Sequence, residues 1–343
     1  MKRARWRAAV AAAVLVAASA CSAEGGGADD DGKAAAAPAR PVVTTIDTGV
    51  SRLLAVAISP DGRFAYAAAE SEIAVVELAT ARTIDTIPYE AGPKQIRFSR
   101  DGSRAYVASG TLAGGLGTID TASHKVTGII PVDGGPLYAL GLSPDGLRIY
   151  GANTGAGAVV AEVNTGAVRG IPLPRGDRGG VAVSPDGRYA YFTTDTSLAP
   201  RLPGPRSVAV LDTTSGAISA TIPVDAARPA ELTISPDGRR LYLAHFPPFQ
   251  ETPNAVSVID PAATALTGTI PVQGRSTGLT LSPDGRRLHI LNESGTLQTA
   301  DTTSGAVTTT VQVSSPANDL TIDPGSGKAY IVGDTKLHVI DLG

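Results

Sequence analysis

Short apolar runs alternate with clusters of Gly, Pro, Asp and Ser along the chain after its first forty or so residues. The runs "GVAVS" (180–184), "ELTIS" (231–235) and "GLTLS" (278–282) each lead into Ser-Pro-Asp-Gly, and a second run with Tyr at a fixed offset follows. A third run ends in Asp, as in "VAVLD" (208–212), "VSVID" (256–260) and "LHVID" (337–341). After a turn such as "TTSGA" comes a fourth, for example "SATIPV" (219–224) or "TGTIPV" (267–272). The runs are short, β-branched and bounded by turn residues, which predicts four antiparallel strands per unit. Ser-Pro-Asp-Gly suits a type I turn, with Ser first, Pro presetting φ second and Gly fourth.

Copies of the turn begin at Ser59, Ser143, Ser184, Ser235 and Ser282, with looser versions at Ser99 and Asp323. Their intervals are 40, 44, 41, 51, 47 and 41 residues, a period that marks a repeat architecture. Many strands are apolar at successive positions, so both faces of each small sheet must be buried against another sheet. Radial packing satisfies that need, and the predicted fold is all-β, a seven-bladed β-propeller of four-stranded antiparallel blades. The chain stops on a third strand, "KLHVIDLG", and its globular part opens on "PVVTTIDTG" (41–49), which looks like a fourth strand without its three predecessors. Pairing of residues 42–48 with 337–342 would therefore complete the last blade and remove two open edges.

The stretch "VSVIDPAATALTGTIPVQGRSTGLTLSPDGRRLHILN" (256–292), with "VAVLDTTSGAISATIPV" and "TIDTASHKVTGIIPV", resembles the YVTN-type repeat of bacterial and archaeal seven-bladed propellers. The resemblance covers residues 42–343. It implies the fold, but little about function, because such proteins include surface-layer and cell-surface proteins and relatives of lactonases and haem-binding propellers.

The first twenty residues stand apart from the repeats. Lys2, Arg3, Arg5 and Arg7 precede the apolar run "AAVAAAVLVAASA", the pattern of an export signal over residues 1–20. Cys21, the only cysteine, follows Ala18-Ser19-Ala20 in a context that resembles a lipobox, although the usual bulky aliphatic residue is replaced by Ala18. A lipidated Cys21, residues 21–41 as a flexible tether and residues 42–343 as the propeller define an extracytoplasmic, cell-membrane lipoprotein, expected to be monomeric. The other reading of Cys21 is an incidental thiol beside an ordinary cleavage site.

Without the leader the chain has 25 basic and 32 acidic residues and few aromatics, which argues against nucleic acid as a partner. The four histidines form no HxH or HExxH pattern, no GxSxG elbow is present, and neither a metal nor a cofactor is expected. The repeated Asp and Tyr residues read as architecture, and His289, at a Tyr position, as a packed substitute. Chemistry is to be sought where the repeats differ. The two longest intervals belong to adjacent blades four and five, with the surplus in "DTSLAPRLPGPR" (195–206) and "FPPFQETPN" (246–254). The same end of the ring gathers Arg52, Arg178, Arg228 and Arg275, with Glu231, Asp319 and Gln95 in the register facing the channel mouth and His245 beneath the long blade-five loop. Such a set suits a protein, glycan or small anionic ligand held by guanidinium forks, or else forms a solvated rim with Asp177, Asp225 or Glu90 as the arginines' partners. The leading expectation is a binding or scaffold propeller without bond chemistry. The alternative is a lactonase- or lyase-type enzyme using Glu231, His245 and Arg228.

Overall fold

Each Ser-Pro-Asp-Gly turn closes on one small set of bonds. Ser59 Oγ donates to Asp61 Oδ1 at 2.6 Å and accepts the Phe64 N–H at 2.9 Å, while Gly62 N–H closes on the Ser59 carbonyl at 2.8 Å. Ser99, Ser143, Ser184, Ser235 and Ser282 repeat the hydroxyl-to-carboxylate bond with their own Asp. The serine hydroxyl is the main reason that Asp61 and Asp186 titrate below the usual carboxylate range. In the seventh copy Asp323 takes the serine position, and the Ser326 hydroxyl and N–H bond to it instead.

The fourth position of the turn requires glycine twice over. Gly285 has φ +69°, and a Cβ there would lie 2.6 Å from Pro236 Cδ of the preceding blade. Gly285→Ala is therefore expected to destabilise the fold by about 1–3 kcal/mol. Gly128→Ala, with nothing within 4 Å of the added carbon, should move stability little. Urea unfolding of the two variants in parallel would check the contrast.

The structure, a computed structural model, describes residues 41–342 except 112–114, 134, 154–156, 174–178, 196–204, 225–227, 247–253 and 314–315. The expected leader and Cys21 lie outside the described residues. Among the described residues twenty-eight strands form seven four-stranded antiparallel sheets. The inner strands are Ala55–Ile58, Pro93–Phe98, Leu137–Leu142, Val181–Val183, Arg228–Ile234, Ser276–Leu281 and Asp319–Ile322. Each touches the inner strand of the next blade, and the seventh touches the first, so the ring is closed. In the seventh sheet Val43–Asp47 lies outermost and pairs with Lys336–Ile340, from Val43 opposite Ile340 to Asp47 opposite Lys336. The observed seam falls within a residue or two of the predicted one.

Apolar runs are continuous because the core lies between blades and each sheet has two core faces. One cluster joins Ala55, Tyr66 and Ile73 of blade one to Ile96 and Val107 of blade two. The repeated tyrosines, Tyr66, Tyr106, Tyr150, Tyr191, Tyr242 and Tyr330, are all buried, and His289 fills the remaining place with Nδ1 3.0 Å from Thr299 Oγ1. Burial holds the His289 imidazole down at about 4, so it packs as a neutral ring. Outer strands such as Arg82–Pro88 and Ala265–Pro271 are mostly exposed, and each carries two Thr.

Candidate functional site

Two ends of the ring differ in what the repeat leaves free. At the turn end, blade-to-blade contacts such as Pro236 against Gly285 occupy the equivalent positions. At the other end the links between second and third strands run two to five residues in five blades. In blades four and five they span 196–205 and 247–254. These connections lie largely outside the described residues, but their stems are described. Asp195, 2% exposed, pairs with Arg206 at 3.4 Å, and Thr194 Oγ1 meets Ser207 Oγ at 2.7 Å. In blade five the buried His245 places Nε2 2.7 Å from Ser257 Oγ. Polar staples thus hold both stems where the chain leaves the sheet.

The rim arginines have nearby partners. Arg52 is bonded to Glu70, and Arg275 lies 3.3 Å from Glu293, all of them well exposed. Each of these two carboxylates lies one strand link away across the mouth of the arginine's own blade, while Asp177 and Asp225, partners expected from sequence, lie outside the described residues. Arg178 lies outside the described residues. Arg228 opens the inner strand of blade five, and its side chain is outside the described set.

Deeper in the ring, the three polar residues placed in one register do one structural job. Gln95 Oε1 accepts the Leu140 N–H of blade three at 2.6 Å, and Asp319 Oδ2 accepts the Val56 N–H of blade one at 2.9 Å. Glu231 accepts the Leu279 N–H of blade six in the same way. Each reaches from its own inner strand to the backbone of the next. At this register in other blades stand Gly180 and Gly278, where a Cβ would press on the neighbouring inner strand at 2.6 and 3.0 Å.

Glu231 and Asp319 also feel one another across the axial channel. Desolvation first, and then the Asp319 charge, pushes the Glu231 carboxyl well above the ordinary range. Desolvation likewise raises Asp319, although less, because the N–H groups of Val56 and Leu320 and the Arg97 charge oppose it. Both residues keep partial solvent contact through the channel, but Glu231 Oε2 itself is sealed and has no hydrogen-bond partner among the described residues. That sealed oxygen is an atom that must carry charge or proton.

Arg97, on the inner strand of blade two, acts electrostatically on both carboxyls. It was not singled out from sequence. A signal was there, because the equivalent positions opposite the tyrosine register are Ala57, Gly141, Ala182, Thr233 and Thr321. Arg97 Nη1 donates to the Ile96 carbonyl at 3.1 Å, and no ion pair joins Arg97 to either carboxyl among the described residues. Of the set expected from sequence, then, Glu231, Asp319 and Gln95 share one register, while His245 bonds to Ser257 in the sheet of blade five. Among the described residues no three His, Cys, Asp or Glu side chains converge as a metal site requires.

The ring of sheets and its central polar cluster define the chain as a seven-bladed β-propeller. No family model and no curated protein sequence matches it. Among solved structures it is similar to hydrazine synthase of Kuenenia stuttgartiensis, with a TM-score of 0.76 and 18% identity over 88% of this chain and 98% of that one. It is also similar to the β-propeller domain of Cps50 (Swd1) of Myceliophteria thermophila, with a TM-score of 0.74 and 11% identity over 88% of this chain and all of that one. At these identities the likeness is one of fold.

Proposed function

We propose that this chain is an exported propeller of the YVTN-repeat type, tethered to the membrane through lipidated Cys21, that binds a protein, glycan or small anionic ligand. Binding occurs at the end of the ring bearing the long links of blades four and five. The observation that carries this reading is the confinement of the longest departures from the repeat to two adjacent blades at one end. Loops on a rigid scaffold are the usual carriers of recognition, and stapled stems limit the entropy lost on binding. Of the rim arginines, Arg52 and Arg275 would exchange Glu70 and Glu293 for a ligand's anionic groups, with Arg178 and Arg228 alongside.

A screen of glycans, lactones and peptides against the wild type and a variant lacking residues 196–204 tests the reading. We expect at least about tenfold weaker binding by the variant, which is about 1.4 kcal/mol. Equal binding would remove the blade-four link from the site.

The raised carboxyl of Glu231 beside Asp319 favours one second reading, a lactonase- or lyase-type site in which Glu231 delivers a proton. Its mark is lactone turnover that is lost in Glu231→Gln.

A further inference from the structure

At the turn end of the ring, a crevice opens between blades three and four. Its volume is about 130 Å³, and Arg148, Glu162 and Arg169 of blade three line it with Thr213, Thr214 and Gly216 of blade four. That is ample for a small oxyanion, since about 10–15 Å³ already admits one water. Arg148 is engaged by the protein, with Nε donating to Glu162 Oε1 at 3.1 Å and Nη1 to the Thr213 carbonyl at 3.2 Å. Its reach to the next blade belongs to the repeat, because Arg240 and Arg287 donate in the same way to the carbonyls of Thr302 and Leu342. Arg169 is a departure from the repeat. It stands opposite Val160, which stands opposite Tyr150, and the same register holds Thr44, Asp85, Gly128, Ala220, Gly268 and Thr309 in the other blades. No hydrogen bond or ion pair holds its guanidinium among the described residues, and the one carboxylate in the crevice is taken by Arg148. Between blades one and two the matching space is closed by the protein itself. There Asp85 takes the place of Arg169, and His124, also at positive φ, takes that of Gly216, with Nδ1 3.1 Å from Asp85 Oδ2. Gly216 leaves that space to Arg169, since a Cβ on residue 216 would lie 2.6 Å from Arg169 Nη1.

We propose that this crevice binds one tetrahedral oxyanion, a phosphate or sulfate group, either free or as an ester on a larger molecule. Glu162 balances Arg148, so the crevice carries the uncompensated charge of Arg169 and its guest is an anion. The Arg169 fork takes two oxygens in parallel. A carboxylate would be used up by that fork. A tetrahedral group has further oxygens for the opposite wall, where the Thr214 hydroxyl has no protein partner among the described residues. Arg169 is exposed, so the crevice admits its guest from solvent, and added salt will weaken binding. The site lies at the opposite end of the ring from the long links of blades four and five and rests on no reading of them.

Titration calorimetry on the intact propeller at neutral pH and constant ionic strength, with inorganic phosphate, sulfate, methyl phosphate and acetate as probes, tests this. Phosphate or sulfate should bind once per chain, and acetate at least about tenfold more weakly. Methyl phosphate bound as well as phosphate identifies an ester-borne group, and binding at least about tenfold weaker a free ion. Arg169→Ala should weaken the favoured probe by about tenfold or more. Arg239→Ala, which removes an exposed guanidinium from the turn of blade five, should leave binding unchanged. The Arg169 side chain makes no bond to the protein among the described residues, so Arg169→Ala should keep the wild-type unfolding transition. The variant lacking residues 196–204 should bind as the wild type does, which separates failure here from failure of the loop-borne site. Absence of binding by any probe up to about 10 mM, acetate bound as tightly as phosphate, full binding by Arg169→Ala, or several anions per chain would overturn the assignment.

Discussion

At pH 8, Glu231→Gln is expected to be about 1–3 kcal/mol more stable than the wild type, and the gap should close as the pH falls toward 5. In the unfolded chain residue 231 titrates as an ordinary glutamate, whereas in the ring burial and the Asp319 charge raise its pKa. Between those two pKa values the native state holds a proton that the unfolded state has lost, so wild-type stability declines as the pH rises through the folded value. Glutamine carries no charge to desolvate, and its carbonyl can still accept the Leu279 N–H. The amide nitrogen takes the place of an oxygen that has no partner. Asp319→Asn should behave differently. Asp319 accepts the Val56 N–H at 2.9 Å on one oxygen and the Leu320 N–H at 2.8 Å on the other, so an amide must turn its NH2 toward one of two donors. Urea unfolding at pH 5, 6.5 and 8 reads both effects. A Glu231→Gln midpoint that follows the wild type across that range would show that the buried carboxyl does not hold the proton.

Ile46→Ala should cost about 2–4 kcal/mol, more than its place near the start of the globular chain suggests. Ile46 is 7% exposed and belongs to the cluster that includes Val56, Ala67, Tyr330 and Leu337, so it ties the first blade to the last. It lies on the strand that pairs the first described segment with the last, opposite Leu337. A loosened seam frees the edge of Lys336–Ile340 and lets the ring open between blades seven and one. The exposed Thr44, on the same strand, provides the control, and Thr44→Ala should stay within about 0.5 kcal/mol. Denaturation midpoints measure the difference, and light scattering should show association of the Ile46 variant through the opened edge. Equal effects of the two substitutions would mean that the seam is not where the ring is latched.

These expectations differ in how far they could be read before any coordinates. The seam was legible because the ends of the chain carry complementary fragments of one repeat. The buried tyrosines were legible because a fixed offset from a turn fixes which face of a strand a side chain takes. Glu231, Asp319 and Gln95 could be placed in one register for the same reason. What joins them was hidden. Each bonds to the backbone of the following blade, and a backbone N–H leaves no mark in the residue that bears it.

Local physics written into the chain determined the Ser-Pro-Asp-Gly turns, four strands to a unit, seven units and the latch, since each depends on neighbours a few residues away or on a pattern repeated whole. Only the tertiary structure decided that Arg97 acts electrostatically on two carboxyls from blades five and seven, that Arg52 and Arg275 turn to Glu70 and Glu293, and that His245 bonds to Ser257. Those encounters depend on how the blades are disposed around the axis. Residues more than eighty positions apart meet there because a closed ring brings every inner strand to one channel. Partial burial at that channel raises the proton affinity of two ordinary carboxyl groups.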